Sequence, residues 1–265
     1  MKKSSIICCL ALVSIYAFLF IYACGGNGDG SVTGISDVSS SGGGTSEFAT
    51  DTGAKLLIEH NATEERTGFQ GFTDGSPWNQ LTIRGPDGQL IFTVTPEGGL
   101  RNFGLTKLFF NSLEILSVEV PIADVLSSLP EGVYMLTGDM VNGDPSELST
   151  TLTHKIPAGP ILITPSDGSI IDQSNLIVSW GQVNEDINGA AVTIVGYQVK
   201  LVKNEVSQFP QSFARSLLSV HLPATVTSVT VPKEFIEGGA IYKYQVLAIE
   251  ESGNQTISSA MFGTQ

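Results

Sequence analysis

Ile241-Tyr242-Lys243-Tyr244-Gln245-Val246-Leu247-Ala248 is the stretch whose reading decides the fold. Side chains on a strand alternate between faces, so Tyr242, Tyr244, Val246 and Ala248 share one side and offer a broad apolar surface. Leu176-Ile177-Val178-Ser179-Trp180 repeats the pattern, with Leu176, Val178 and Trp180 on one face. A third run, Ile194-Val195-Gly196-Tyr197-Gln198-Val199, also reads as a strand. Strands of this kind need a common core between two sheets. Around them, strand patterns fall at 161–164, 175–180, 194–202, 213–221, 227–231, 240–250 and 255–263, with few helical signals.

These three runs resemble strands B, C and F of a fibronectin type III domain, and the likeness extends from Pro160 to the end of the chain. Trp180 falls where the family carries its core tryptophan, and Tyr242 where its strand F tyrosine makes the tyrosine corner. The resemblance implies a sandwich over 159–265 with Trp180, Tyr197 and Tyr242 as structural core. Two departures stand out. A long loop runs from Gln182 to Val192, and no Arg-Gly-Asp tripeptide occurs, which removes integrin-type adhesion.

Upstream, residues 54–158 read as a second all-β module with strands at 55–60, 69–73, 80–84, 90–95, 105–110, 132–138 and 147–154. Gly85-Pro86-Asp87-Gly88 predicts a hairpin turn, because proline fixes φ and glycine accepts φ > 0, and Asn142-Gly143 predicts another. Pro121 opens a short helical pattern in which Ile122, Val125, Leu126 and Leu129 recur at three and four residue spacing. Leu129-Pro130-Glu131-Gly132-Val133-Tyr134 echoes Ile236-Glu237-Gly238-Gly239-Ala240-Ile241-Tyr242, which suggests a second immunoglobulin-like sandwich. The module is similar to an uncharacterised one that precedes fibronectin type III domains in secreted bacterial proteins, and that likeness implies no activity. Ile156-Pro157-Ala158-Gly159-Pro160 is a short, stiff connector. The expected fold class is therefore all-β, two tandem immunoglobulin-like sandwiches after a signal segment and flexible linker.

The front of the chain is an address. Lys2 and Lys3 precede an uncharged, mostly apolar run from Ile6 to Ala23, then Cys24. Ala23-Cys24 resembles the end of a bacterial lipobox, whose cysteine is lipidated and becomes the first residue of the mature chain, with Tyr22 bulkier than is usual there. The expectation is a lipoprotein signal over 1–23 with Cys24 as lipidation site; the alternative is an uncleaved membrane anchor. Gly25 rather than aspartate after Cys24 resembles lipoproteins sorted to the outer membrane rather than the inner. Residues 24–53, rich in glycine and serine, form a tether of on the order of 30 Å.

Composition narrows function further. The 265 residues carry 13 Lys+Arg against 26 Asp+Glu, a net charge of −13 that becomes −15 once Lys2 and Lys3 are removed. Nucleic acid is excluded as a partner, since phosphate binding rests on clustered cations. Cys8 and Cys9 lie within the signal, so the mature chain has no cysteine for a disulfide beyond Cys24.

Catalytic motifs are sparse. No Gly-x-Ser-x-Gly elbow occurs, and His60, His154 and His221 stand isolated at strand ends. Glu64-Glu65 and Glu250-Glu251 are neighbours whose ordinary reading is solvated loop charge. Asp139, Asp144 and Glu147 flank the Asn142 turn and offer oxygen ligands for calcium, against ordinary turn chemistry. Asn61-Ala62-Thr63 and Asn254-Gln255-Thr256 fit the glycosylation pattern and read as chance matches.

Strict alternation sets Trp78 in phase with polar Gln80 and Thr82, opposite Leu81 and Ile83. Trp78, with Phe69, Phe72 and Asp74 close by, is thus a candidate platform for sugar or peptide, unless Pro77 breaks the alternation and the ring plugs the sandwich end. The expectation is a non-enzymatic, lipid-anchored envelope protein without cofactor, displaying modules for protein interaction or scaffolding. A carbohydrate or peptide module centred on Trp78, and an enzyme with a dispersed site, are the alternatives.

Overall fold

The computed structural model describes residues 53–143, 145–204 and 218–265. Residues 1–52, over which the signal and most of the tether are expected, lie outside them, as do Asp144 and the first half of the strand expected at 213–221.

The second module is a sandwich of three strands on four. β8 (Leu162–Thr164), β10 (Ile177–Trp180) and β13 (Ser228–Thr230) form one sheet in the order β13-β10-β8. β11 (Ile194–Lys203), β12 (Leu218–Pro223), β14 (Ile241–Glu250) and β15 (Gln255–Thr264) form the other in the order β12-β11-β14-β15, and a short β9 (Ser169–Ile171), not foreseen from the pattern, adds to β15. Leu176, Val178 and Trp180 meet Tyr197, Val199, Tyr242, Tyr244, Val246 and Phe262 between the sheets. The Trp180 and Tyr197 rings lie 5.3 Å apart. Tyr197 and Tyr242 are fully buried, and each spends its hydroxyl on backbone: Val183 N–H donates to Tyr197 Oη at 2.9 Å, and Glu237 N–H to Tyr242 Oη at 2.6 Å.

The first module has the same strand logic with one fusion. Strands expected at 69–73 and 80–84 are a single strand, β2 (Arg66–Arg84). Its first half pairs with β1 (Ala54–Asn61) on one side and β4 (Leu105–Asn111) on the other. Its second half pairs with β3 (Leu90–Val94) and β6 (Gly132–Met140), and β6 pairs with β7 (Pro145–Leu152). One bent strand thus serves both sheets, giving β1-β2-β4 facing β3-β2-β6-β7. Bends of this kind are how strands turn the corner of a sandwich. A two-residue β5 (Ile115–Leu116) extends the first sheet, and α1 (Ile122–Ser127) follows Pro121 as its pattern predicts. Tyr134 is fully buried and its hydroxyl donates to Pro130 O at 2.8 Å. The echo between the two modules is therefore physical: each places a tyrosine on the strand after the crossover and ties it to the turn before. The Phe110 ring packs directly on Gly71, where a side chain would collide with it unless the ring moved.

The modules are not beads on a string. β1 pairs in parallel with β15, Glu59 opposite Gln255 and Asn61 opposite Ile257, so one sheet runs through both cores. Asn254 stitches the junction: Ile58 N–H donates to its Oδ1 at 2.8 Å, and its Nδ2 donates to Thr153 O and Lys155 O, each at 2.8 Å. Thr256 Oγ1 donates to Pro157 O at 2.5 Å. The long loop that departs from the fibronectin type III pattern has its reason here. Ala158 N–H donates to Glu185 O and Ile187 N–H to Ile156 O, both at 2.9 Å, and the Ile187 side chain packs against the first module's core. The loop of the second module is a strap across the first.

Candidate functional site

At Trp78 the sequence expectation needs correction. The ring is 2% exposed and belongs to the core with Leu81, Ile83 and Leu136. Alternation fails because Trp78 pairs with Met140 while Gln80 pairs with Asp139, so the ladder carries one extra residue, Asn79, on β2. A bulge of this type reverses the phase of everything before it, and Trp78 turns inward with Leu81. A second irregularity lies between Asp74 and Trp78, where Gly75-Ser76-Pro77 carries β2 around its corner. The flat platform reading is thereby overturned. Phe69 is buried in the core; Phe72, three residues on, is half-buried in register between Lys55 and Phe109. The three aromatics share no exposed face.

What the corner builds is a cavity of about 220 Å³. Its position follows from residue size. On β6 the inward residues run Tyr134, Leu136, Gly138, and on β7 Leu152, Thr150, Leu148, Ser146; Gly138 pairs with Ser146, so the two smallest stand opposite each other. Leu81 completes that row from β2. Met140, the next inward residue on β6, folds back over Gly138 and brings its methyl 3.1 Å from where a Cβ would stand, so the open space is bordered by the short Ser146 side chain and the Asp74–Ser76 bend. Trp78, Leu81, Leu136, Leu148 and Met140 make the apolar walls, while Asp74, Ser76 and Ser146 bring polar atoms. Asp74 pairs with Lys107 at 2.7 Å, on the side away from the cavity lining. Of the proposed platform residues, Trp78 and Asp74 therefore meet at one cavity, and Phe69 and Phe72 do not line it.

The calcium expectation places Asp139 and Glu147 on the outer face of the β6–β7 hairpin, Asp139 opposite Pro145 and Glu147 opposite Thr137. Asp144 lies outside the described residues. Among the described residues no group of three or more His, Asp or Glu is arranged to hold a metal ion.

The richest polar chemistry lies at the junction, which sequence reasoning missed. Glu59, 2% exposed, accepts from Gln255 Nε2, and burial holds its carboxyl above the usual range against the pull of Lys200. Burial brings Lys200 down to about 8 and, with the neighbouring Glu59 and Glu64 carboxylates, pushes Glu114 up to about 7. Lys243 bridges to Glu64 at 3.0 Å across the two modules. Glu250 is not solvated loop charge: it is fully buried and caps the 251–254 turn, accepting from Ser252 N–H at 3.0 Å and Asn254 N–H at 3.1 Å. His60 is buried against Thr67, with Nδ1 and Oγ1 at 3.0 Å, and burial lowers its pKa. His154 Nε2 contacts Leu129 O at 2.9 Å and His221 Nε2 contacts Gln198 Nε2 at 3.1 Å, so each histidine is engaged structurally. The sequons are closed to modification in this fold: Asn61 and Asn254 are both buried, Asn61 Oδ1 accepting from Thr63 and Glu64 N–H.

No known protein-family model matches the chain, and no curated protein matches it. Among solved structures it is similar to the first three fibronectin domains of chicken CNTN1, at 12% identity over 80% of this chain and 67% of that one, with a TM-score of 0.32. It is similar to the third fibronectin III domain of human KIAA0343 protein, at 15% identity over 42% of this chain and 85% of that one, TM-score 0.31. The Clostridium perfringens spore cortex lytic enzyme SleM matches over 40% of this chain and 28% of its own, at 16% identity and TM-score 0.28. Likenesses this distant say nothing of activity. The all-β, immunoglobulin-like architecture stands on the strand order described above.

Proposed function

We propose that the protein is a non-enzymatic, lipid-anchored component of a bacterial cell envelope, held through Cys24 in the outer membrane rather than the inner, whose two sandwiches form a stiff interaction scaffold. The observation that carries this reading is the junction: a shared sheet, the Asn254 bonds and the 182–192 strap join two cores that a flexible connector would leave independent. Relative motion of domains is the default where contacts are few, and here it is suppressed. A tether followed by an inflexible body suits presentation of a surface at a fixed distance from lipid. The net negative charge keeps that body off anionic headgroups and away from nucleic acid. The partner of such a scaffold is a protein or a glycan of the envelope.

Mass spectrometry and fractionation of wild type and Cys24→Ala test the anchor. The expected result is an acylated N-terminal Cys24 in the membrane fraction, with modification abolished and signal cleavage slowed in the variant. An intact, unacylated N-terminus on the wild type overturns it. Spin-label pairs placed one on each module test the stiffness: a single narrow distance distribution supports the scaffold, and a broad one sinks it.

A further inference from the structure

We infer that the corner cavity of the first module is a binding site for a small neutral molecule with an apolar ring and a single hydrogen-bonding end. This inference does not rest on the scaffold or the lipid anchor. Its basis is the way the space is made. The Asn79 bulge turns Trp78 inward to form a wall, Met140 folds over Gly138 to form another, and the short Ser146 side chain leaves the room between them. The volume of about 220 Å³ suits one ring with a substituent and is too small for the extended ligands that a flat aromatic platform would take. The walls decide the chemistry. Trp78, Leu81, Leu136 and Leu148 favour an apolar body, and the hydroxyls of Ser76 and Ser146 favour one hydroxyl or amine-type hydrogen at the polar end. An anion is disfavoured, because Asp74 is the charged group at the site and Lys107, which pairs with it, is not among the residues that line the cavity.

Phenol is the probe, benzoate its anionic counterpart, and the full chain in detergent the sample. The chain has two tryptophans, so the indole Nε1–H resonances report each module separately, whatever fraction of phenol enters the micelle. Phenol is expected to shift the Trp78 resonance saturably and leave Trp180 unmoved, with benzoate at least ten-fold weaker. Ser146→Leu fills the row opposite Gly138 and should weaken phenol ten-fold or more at an unchanged or raised Tm. Should that variant fail to fold, Leu148→Phe makes the same forecast from the next row. A Trp78 resonance that does not move, or that moves in step with Trp180, overturns the site. Wild-type affinity in the folded filling variant also overturns it, and benzoate binding as well as phenol overturns the ligand class.

Discussion

Ile58 and Asn254 stand 196 residues apart in the chain and meet at 2.8 Å, the backbone N–H of one donating to the side-chain oxygen of the other. The same amide holds Thr153 O and Lys155 O, so one buried side chain fastens β1, the connector and the last turn of the second module.

Asn254→Ala leaves the buried Ile58 N–H and two half-exposed carbonyls, Thr153 O and Lys155 O, without this partner, and a buried group so orphaned costs about 1 to 3 kcal/mol. The expected loss is about 2 kcal/mol, most of it from the Ile58 N–H. Calorimetry checks a sharper consequence: wild type should unfold in one transition, and Asn254→Ala or Ile187→Ala in two, as the modules uncouple.

Trp78→Ala should cost about 3 to 5 kcal/mol, because the ring is buried in the core rather than displayed. A urea melt decides it. An unchanged midpoint would restore the exposed platform that the bulge at Asn79 rules out.

Tyr134→Phe and Tyr242→Phe keep both rings and remove both hydroxyls. Each should cost about 1 kcal/mol, with Tyr242→Phe the worse, since Glu237 N–H then loses its acceptor while Pro130 O merely loses a donor. Paired thermal melts would show the order.

Glu114 supplies a pH signature. Burial, helped by the Glu59 and Glu64 carboxylates, raises its pKa to about 7, and Arg66 and Lys243 oppose them. A carboxyl raised in the folded state adds stability that is complete below its unfolded pKa of 4.5 and is lost as pH climbs through about 7. Glu114→Gln should therefore match wild type near pH 4.5 and exceed it at pH 8. Discounted for the group's partial exposure, the gain is about 1 kcal/mol, or about 2 to 4 °C in Tm. Melts across that range measure it.

Local pattern carried strands of both sandwiches, because the alternate residues Tyr242, Tyr244, Val246 and Ala248 do share the core, although Gln245 and Leu247 are buried as well. It carried both tyrosines too, through a short echo around Pro130 and Glu237. It failed where one residue changes phase: nothing in Trp78-Asn79-Gln80 announces a bulge, since the extra residue is defined by the partner strand β6. It failed again at long range. Asn254 read as a chance sequon, Glu250 as loop charge and 182–192 as a long loop; Glu250 caps the turn that carries Asn254, and Asn254 and the loop serve contacts with residues far away in sequence. The Gly138–Ser146 pairing was visible only once register set them opposite each other.

The pairing of β1 with β15 also disposes of a hazard. Each is a border strand of its own sandwich, and an uncovered border offers a row of free N–H and C=O groups to any passing chain. Here Glu59–Asn61 and Gln255–Ile257 cover each other, while β9 covers β15 at Phe262–Thr264, so removing either sandwich bares the paired stretch of the other. A fragment holding one module alone would expose that ladder and invite self-association, which makes the two halves mutual chaperones against aggregation as well as structural neighbours.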